Sequence, residues 1–327
     1  MNDNPIGEAV TEAEVEKALE SDCDCKEGMF PQGRIGTASR RAFLRSGGLL
    51  TAAAAIVPVT ALAQDASGEA PWSVPGRIAK SDYGSRAPFE KVARLASFGG
   101  TSSLTPLQAS TGIITPSGLH FERHHNGVPA IDPAQHRLII HGMVDKPMKY
   151  SVEDLKRFPS TSRILFVECS GNSNAASRSA SQKTAQEAHG LTSTSEWTGV
   201  KLSTLLAQVG IKDGAAWVLA EGADGAMLSR SVPIDKMLDD AMVAYAQNGE
   251  AIRPENGYPM RLILPGWEGN INVKWLRRLK IGDKPFMTRE ETSKYTDLIT
   301  LTGKARQFSW VMEAKSLITF PSGDMRL

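Results

Sequence analysis

A segment near residue 40 most limits what this chain can fold into, because it removes the first part of the chain from the fold. Residues 39–45 read SRRAFLR, and a mostly apolar run over residues 48–57 follows and ends at Pro58. Ala61-Leu62-Ala63 then supplies small residues at the spacing of a signal-peptide cleavage site. This order is typical of a twin-arginine export signal. The apolar run is shorter than the roughly 20 residues that a membrane-spanning helix needs. We therefore expect a leader over residues 1–63 that is removed.

An export signal of this type places the mature protein, which would begin near Gln64, in a bacterial periplasm. Of the three cysteines in the chain, Cys23 and Cys25 lie in the leader. Cys169 would then have no internal partner for a disulfide in an oxidising compartment. A lone thiol there is a liability unless it is buried or bound to another group.

The overall composition excludes some classes of partner. The formal net charge is +1, with 41% hydrophobic and 22% charged residues. Phosphate binding along a nucleic acid needs a clear basic excess, so we predict no nucleic-acid partner. We also predict no membrane span in the mature chain.

Short strands of mixed spacing, with a few short helices, follow an irregular segment over residues 64–115. Ser151 begins a helix with a capping-box pattern, Ser203 is predicted to cap a second helix that Gly210 ends, and Asn248-Gly249 predicts a hairpin turn. This order favours an α+β fold over a doubly wound parallel sheet. No GxGxxG follows a strand, so we predict no dinucleotide site. The continuous apolar centre of residues 163–168 predicts a strand buried on both faces. Strands are predicted over residues 137–142, 163–168, 216–219, 241–245, 251–252, 260–264 and 273–281.

Polar residues cluster where these predicted strands end, at residues 121–127, 169–172, 221–225 and 261–275. A phosphate-bearing cofactor needs cationic side chains and backbone N–H donors of this kind, and a soft metal needs a thiolate such as that of Cys169. Residue chemistry alone leaves other interpretations open, namely a buried structural cysteine, a Cys–His nucleophile or solvated turns. The pair His124-His125 lacks an HExxH pattern or a second ligand pair at zinc spacing.

Taken in order, these clusters resemble the sulfite oxidase family of molybdopterin enzymes over residues 120–281. FERHH at residues 121–125 corresponds, in altered composition, to the family's Phe-x-Arg-x-His pattern, and CSGN at 169–172 to its Cys-(Ala/Ser)-Gly-Asn. GYPMR at 257–261 corresponds to Gly-x-Pro-x-Arg, while Pro265-Gly266 and NVKW at 272–275 match the last elements. Several ordered matches are more specific than any one of them. They imply a sulfite-oxidase-like domain of mixed β-sheets with short helices.

The resemblance implies a molybdenum–molybdopterin cofactor. No Cys-x-x-Cys-His occurs in the chain, so we expect no haem on it. The resemblance implies that the Cys169 thiolate binds the metal and that the Arg123 guanidinium faces an anionic sulfur substrate, so both residues are implied to be catalytic. Cofactor contacts are implied at Phe121, Arg123, His124, His125, Cys169, Asp224, Asn256, Arg261, Asn272, Val273 and Lys274.

Three positions depart from the sulfite-oxidising members of the family. Asn174 stands where those members have a second arginine, Leu228 where they have an active-site tyrosine, and Asn256 where they have a histidine. Residues 226–233 and 291–297 resemble instead a branch that oxidises a sulfane sulfur carried on a cysteine of a partner protein. A wider, less cationic pocket suits such a substrate better than free sulfite.

For this branch the resemblance implies that a sulfur-carrier protein is the substrate and a c-type cytochrome subunit the electron acceptor. Two alternatives stay open. One is a sulfite dehydrogenase or sulfoxide reductase of the same fold. The other is an inactive binding or assembly protein without cofactor.

The expected division of the chain is a leader (1–63), an irregular segment (64–115), a molybdopterin domain (116–312) and a short remainder (313–327). The family is dimeric through a C-terminal immunoglobulin-like domain. We expect residues 313–327 to be the start of a truncated copy of it, with most of that domain missing.

Overall fold

Two β-sheets carry most of the regular structure. The structure, a computed structural model, describes residues 5–21, 86–97, 100–172 and 184–321. The predicted twin-arginine motif, Cys23, Cys25 and Asn174 lie outside the described residues. The strands are β1 (Glu8–Ala9), β2 (Leu95–Ala96), β3 (Ser102–Leu104), β4 (Glu122–Arg123), β5 (Leu138–Gly142), β6 (Met148–Tyr150), β7 (Thr161–Glu168), β8 (Thr192–Lys201), β9 (Trp217–Gly222), β10 (Ser229–Pro233), β11 (Met242–Gln247), β12 (Glu250–Ala251), β13 (Arg261–Ile263), β14 (Leu276–Gly282), β15 (Asp297–Ile299) and β16 (Lys304–Arg306).

The helices are short apart from the first. They are α1 (Glu12–Ser21), α2 (Val152–Lys156), α3 (Ala185–His189), α4 (Leu202–Val209) and α5 (Ile234–Asp239), with 3₁₀ turns at Leu107–Ala109, Ser117–Leu119, Pro254–Asn256 and Gly269–Ile271 and a π-helical turn at Glu290–Lys294. No helix in the described part of the chain is long and apolar enough to cross a bilayer. Mixed sheets with few short helices confirm the predicted α+β class.

The larger sheet has the strand order β1-β6-β5-β14-β9-β10. Its neighbours are antiparallel except for β5 and β14, which run parallel with Ile140 opposite Leu279. Parallel neighbours need a long crossover. Here the crossover is the whole chain between Gly142 and Leu276, and it contains the smaller sheet. The loop that enters β14 therefore lies where the two sheets meet.

The smaller sheet has the order β12-β11-β8-β7, and β13 also pairs with β11. The β11–β12 hairpin turns at Asn248 (φ 52°) and Gly249 (φ 77°), and paired positive φ values are those of the tight hairpin turn predicted for Asn-Gly. A third small sheet, β2-β3-β4, carries Glu122 and Arg123 on its edge strand. β15 and β16 form a separate hairpin.

One helix start was predicted at the wrong residue. Ser151 and Asp154 form the predicted capping box at α2. Ser203, however, lies inside α4, whose N-cap is Lys201 without a side-chain cap, while the predicted end at Gly210 is confirmed. β8 runs directly into α4, and the Leu202 N–H donates to the Ala241 carbonyl (2.9 Å). Tertiary pairing thus replaces the local cap that the sequence pattern predicted.

The prediction that residues 163–168 are buried on both faces is wrong. β7 is the outermost strand of its sheet, and Ile164 and Phe166 are 46% and 40% exposed. Only its other face packs inward, where Val167 joins a cluster with Phe121, Trp197 and others. An apolar run does not distinguish a central strand from an edge strand.

Two apolar clusters form the core. The larger one joins the big sheet to α2, α4 and α5 and includes Leu138, Leu205, Val218 and Leu279. The smaller one surrounds the fully buried Trp197, with Cys169 packed at its border. The smaller cluster forms the floor of the site described below.

The prediction that the leader lies outside the fold is wrong for residues 5–21 of the full chain. Residues 5–21 belong to the same compact unit as the described residues from 92 onward, whereas residues 86–91 belong to a second unit. β1 pairs antiparallel with β6, and α1 packs on β5. Val15 of α1 is only 2% exposed.

Candidate functional site

A cleft opens where loops from both sheets meet. It encloses about 680 Å³, including the space at its open mouth. The Ala223 N–H donates to the Trp275 carbonyl (2.8 Å), which ties the β9–β10 loop to the loop before β14. The residues that line the cleft are His120, Phe121, Glu122, Arg123, His124, His125, Val167, Cys169, Asp224, Leu228, Glu255, Asn256, Arg261, Gly269, Asn270, Asn272, Lys274, Trp275 and Tyr295.

All but one of the residues predicted from the sequence line this cleft. Phe121, Arg123, His124, His125, Cys169, Asp224, Asn256, Arg261, Asn272 and Lys274 come together there from distant parts of the chain. Val273 does not: its side chain is fully buried in the larger core, and its carbonyl accepts the Leu262 N–H (2.9 Å). It holds the neighbouring strand in place.

Cys169 is held at the end of β7 by a tight loop. Asn172 fixes that loop, because its side chain donates to Glu168 Oε1 (2.9 Å) and accepts the Leu191 N–H (3.0 Å). The Gly171 N–H points at the Cys169 sulfur (3.4 Å). Glycine at 171 keeps the space beside this sulfur open, since a Cβ there would lie 3.6 Å from it.

The Cys169 thiol is free and partly exposed to the cleft. Loss of solvent raises its pKa above the usual value, while the Gly171 N–H and the charge of Arg123 oppose that rise. A metal binds the thiolate, so metal binding at this position would release a proton. Among the described residues no group of three or more His, Cys, Asp or Glu could hold a metal ion. A metal at Cys169 would have to bring most of its ligands with it.

Two buried cations form one wall of the cleft. Arg261 donates to the carbonyls of Asn256 (2.7 Å) and Asn272 (2.9 Å), and its guanidinium lies 4.9 Å from the centre of the Trp197 ring. Burial lowers the pKa of Arg261 to about 9. Within the described residues no carboxylate lies within 4 Å of this guanidinium. A buried cation without a counter-ion is costly unless an anion binds there.

Lys274 is the second cation. Its ammonium donates to His124 Nδ1 (3.0 Å) and to the carbonyls of Glu255 (2.9 Å) and Arg123 (3.1 Å). Burial first, and then the charge of Arg261, lower its pKa to about 7. The donation to Nδ1 leaves the His124 proton on Nε2, from which it is shared with Glu122 Oε2 (2.7 Å). The chain Lys274–His124–Glu122 therefore has a defined direction of hydrogen bonding.

Several polar atoms in the cleft lack a partner within the described residues. They are both side-chain amide atoms of Asn256, Nε2 of His120, Nε of Arg261 and Oδ1 of Asn270. Buried polar atoms are nearly always hydrogen-bonded in folded proteins. Their convergence on one cleft indicates a ligand with many hydrogen-bonding groups. Burial lowers the pKa of His120 to about 3, so its ring is neutral.

Tyr295 is a cleft residue that sequence reasoning missed. Its hydroxyl lies 3.1 Å from His125 Nε2, and burial raises its pKa well above the usual range, with a smaller contribution from Cys169. The Arg230 guanidinium lies 4.7 Å from the centre of its ring. The only sequence signal was the motif at residues 291–297, to which no site residue was assigned.

A buried ion pair positions the segment that carries Tyr295. Arg230 and Glu291 are both fully buried, and Arg230 Nε lies 2.7 Å from Glu291 Oε1. The same carboxylate oxygen accepts the Ser231 N–H (3.0 Å). The two segments that distinguished this sequence from the sulfite-oxidising pattern, 226–233 and 291–297, are thus bonded to each other. Leu228, at the expected tyrosine position, lines the same cleft.

Comparison with known proteins identifies the same region. The family described as "Oxidoreductase molybdopterin binding domain" matches residues 125–290. Among solved structures, the sulfane dehydrogenase SoxCD from Paracoccus pantotrophus is 45% identical, with a TM-score of 0.73 over 78% of this chain and 68% of that chain. It is a sulfane dehydrogenase, the branch that the motifs at residues 226–233 and 291–297 indicate.

Curated relatives include the NADH nitrate reductases of Ulva prolifera, 33% identical over 188 residues, and Volvox carteri, 35% identical over 190 residues. These matches cover 53% and 52% of this chain but only 22% and 21% of those proteins. The chain thus spans about a fifth of their length.

Proposed function

This chain belongs to the family of oxidoreductases with a molybdopterin-binding domain, and we propose that it is a periplasmic enzyme that oxidises a sulfane sulfur on a carrier protein. In this proposal a c-type cytochrome subunit accepts the electrons. The single observation that carries it is a cleft lined by one thiol and by two cations, Arg261 and Lys274, that form no ion pair with a carboxylate among the described residues. The 45% identity to a sulfane dehydrogenase supports the choice of substrate.

The cofactor of this family is molybdenum bound to molybdopterin, and the residues of the cleft fit it. Arg261 and Lys274 would hold its phosphate, because both cations have lost solvent and a bound anion would offset that cost. The free amide of Asn256 and Nε2 of His120 would meet polar groups of the pterin. Cys169 would bind the metal, which arrives with its other ligands. When bound, the cofactor supplies a two-electron redox centre.

The chain's own residues define the substrate side of the cleft. Arg123 is exposed at the cleft, where its guanidinium donates to the His124 carbonyl and carries a permanent positive charge. Such a charge attracts an anionic sulfur group. The Tyr295 hydroxyl and His125 Nε2 lie 3.1 Å apart, so when the imidazole Nε2–H donates to the phenol oxygen, the phenol proton stays available for a hydrogen bond to a substrate. The aliphatic Leu228 leaves room without adding charge.

Tyr295 also favours a second candidate, a sulfite dehydrogenase of the same fold. The missing tyrosine at Leu228 counted against sulfite, but the cleft contains a phenol from another segment. The two candidates predict different substrates. Turnover should be measured with sulfite and with thiosulfate plus the sulfur-carrier protein, with methionine sulfoxide testing for a reductase. We expect turnover with the carrier-bound sulfur and little with free sulfite.

The cofactor is tested directly by elemental mass spectrometry of the protein purified from periplasm. We expect about one molybdenum per chain, and in Cys169→Ser we expect the metal to be lost or unreactive and turnover to stop. Ser162→Ala, on the exposed part of the same strand, is the matched control and should keep both. Full turnover in Cys169→Ser would refute the assignment. Correctly exported protein without molybdenum would favour the binding or assembly protein.

A further inference from the structure

The residues that precede the export motif make specific contacts with the folded domain. The Val10 N–H donates to the Pro147 carbonyl (3.1 Å), and β1 pairs Glu8 with Lys149 and Ala9 with Met148. Pairing of this kind is strand addition to an exposed sheet edge. This pairing does not depend on the cofactor cleft, but its release, inferred below, rests on the export and leader removal that the proposed function includes.

Gly7 makes the approach to β6 possible. Its φ is +82°, a conformation that side chains with a Cβ rarely adopt. A Cβ at this position would also lie 2.5 Å from a ring carbon of Tyr150. The two carbonyls before it are bound as well: Pro5 accepts from Arg157 Nη1 (3.2 Å) and Ile6 from Gln208 Nε2 (3.1 Å). The segment is therefore anchored before the helix begins.

Helix α1 then covers the adjacent face of the sheet. Thr11 and Glu14 form a reciprocal cap, since the Thr11 N–H donates to Glu14 Oε2 (2.7 Å) and the Glu14 N–H donates to Thr11 Oγ1 (3.2 Å). Val15 points inward beside Ile139 and is 2% exposed. A buried valine on a short helix indicates docking and not chance proximity.

The charges of the two sides are complementary. Residues 5–21 contain five glutamates and one lysine. Glu8 pairs with Lys149 (2.8 Å), and Glu12 lies 3.5 Å from His141 Nδ1. Arg278 and Lys280 of β14 border the groove beside Glu12 and Glu16. We call the surface of Ile139, His141, Lys149, Arg278 and Lys280 the docking surface.

The docking surface exists only in the folded domain. Its residues come from β5, β6 and β14, and β14 reaches β5 only after the long crossover between them has folded. An unfolded chain cannot present these side chains together. Binding of the segment therefore distinguishes the folded from the unfolded domain.

We propose that residues 5–21 are a temporary docking segment, which binds the docking surface in the precursor and is lost with the leader. Cleavage near Ala63 would remove the whole segment. The edge of β6 and the basic groove would then become open to solvent. Until cleavage, residues 5–21 would hold the leader, and with it the export motif, against the folded domain.

Hydrogen exchange of the full-length precursor tests the binding step. Val15→Asp should increase amide exchange in β6 at least tenfold, because it places a charge in the contact with Ile139. Ala13→Asp is the matched control, because it adds the same side chain to an exposed position of the same helix and should leave β6 protected. Exchange in β14 reports whether the domain is intact. A synthetic peptide of residues 5–21, added to the Val15→Asp protein, should restore protection.

Unchanged β6 exchange in Val15→Asp would overturn the docking role. If Val15→Asp unfolds the domain, the double variant Glu8→Lys/Glu12→Lys replaces it, since it reverses two contacts at the surface. Protein purified from periplasm tests the release step and should show the fast β6 exchange of Val15→Asp. Slow exchange there would refute release. Because Cys169→Ser should leave β6 protection unchanged, these outcomes are separate from those of the cofactor experiment.

Discussion

Lys274 illustrates how a single residue can be adapted to a ligand at the expense of stability. Its pKa is lowered to about 7, from 10.5 for an ordinary lysine, because the ammonium is buried beside Arg261. Between these values the unfolded chain binds more protons than the folded chain. The free energy of unfolding of the cofactor-free protein should therefore rise with pH from about 7, and the penalty should be full below pH 7.

Replacing Lys274 by Met should remove this pH dependence. The slope in the wild type should be at most about 1.4 kcal/mol per pH unit. Urea unfolding should be measured between pH 7 and about 8.5, the ordinary pKa of a cysteine. Above that pH the raised pKa of Cys169 makes the free energy of unfolding fall as the pH rises, so this range keeps that opposite effect small. Lys304→Met, at an exposed position, should keep the wild-type slope. A wild-type stability that falls over this range would contradict the lowered pKa of the Lys274 ammonium.

Tyr295 gives the second prediction at this scale. Tyr295→Phe removes the hydroxyl that contacts His125 Nε2 and leaves that nitrogen without its partner, a loss worth about 1–3 kcal/mol. We expect kcat with the sulfur substrate to fall about 10- to 100-fold, with the molybdenum content unchanged. Steady-state kinetics with Tyr245→Phe as the control measures this. Wild-type kcat at every pH would show that the phenol plays no part in turnover.

The sequence located the cleft residues well but missed this phenol, for a physical reason. Cys169, Arg261 and Lys274 stand in ordered motifs, so resemblance alone brings them together. Tyr295 lies in the motif at residues 291–297, but it reaches the cleft through tertiary packing of the π-helical turn on β10, which that motif does not reveal. Val273 is the opposite case. It lies in a motif, but its side chain is buried in the core and does not line the cleft.

At the scale of elements, the Arg230–Glu291 pair attaches the π-helical turn to β10. Arg230→Met would leave the Glu291 carboxylate buried without its partner, and we expect a loss of about 3–5 kcal/mol in the free energy of unfolding. The double variant Arg230→Met/Glu291→Leu should recover much of this loss, because neither charge of the pair remains. Urea unfolding measures both.

Lys156→Met is the control for this pair. Lys156 and Glu153 are both exposed, so loss of their ion pair should cost at most about 1 kcal/mol. Equal effects of Arg230→Met and Lys156→Met would mean that burial adds nothing to the first pair. Turnover should fall in Arg230→Met as well, because the turn positions Tyr295.

Strand identity could be predicted from the sequence, but the neighbours of each strand could not. The Asn248-Gly249 hairpin and the α2 capping box depend on local chemistry, and both were predicted correctly. The exposure of Ile164 and Phe166 depends on β7 being an edge strand, which is a property of the whole sheet. The predicted start of α4 was wrong for the same reason, since contacts with neighbouring strands replace the local cap.

At the scale of the whole molecule, the cleft joins segments that are far apart in sequence. Cys169 follows β7, Asp224 follows β9, Lys274 precedes β14 and Tyr295 follows the π-helical turn. The unfolded chain has no such site, so the cofactor binds the folded state alone and stabilises it by mass action. Among the described residues the side-chain amide of Asn256 and Nε of Arg261 have no hydrogen-bond partner, and the bound cofactor would supply one.

The molybdenum-loaded protein should therefore be considerably more stable than the cofactor-free protein. A ligand present at 1,000 times its dissociation constant contributes about 4 kcal/mol, which corresponds to roughly 10 °C in Tm for a domain of this size. Differential scanning fluorimetry of loaded protein and of protein from a host without the cofactor measures the difference. Cys169→Ser, which should lose or only weakly hold the metal, should melt closer to the cofactor-free protein. Equal Tm values for fully loaded and empty wild-type protein would mean that the cleft does not hold the cofactor through these residues, because their bonds to the cofactor would stabilise the folded state.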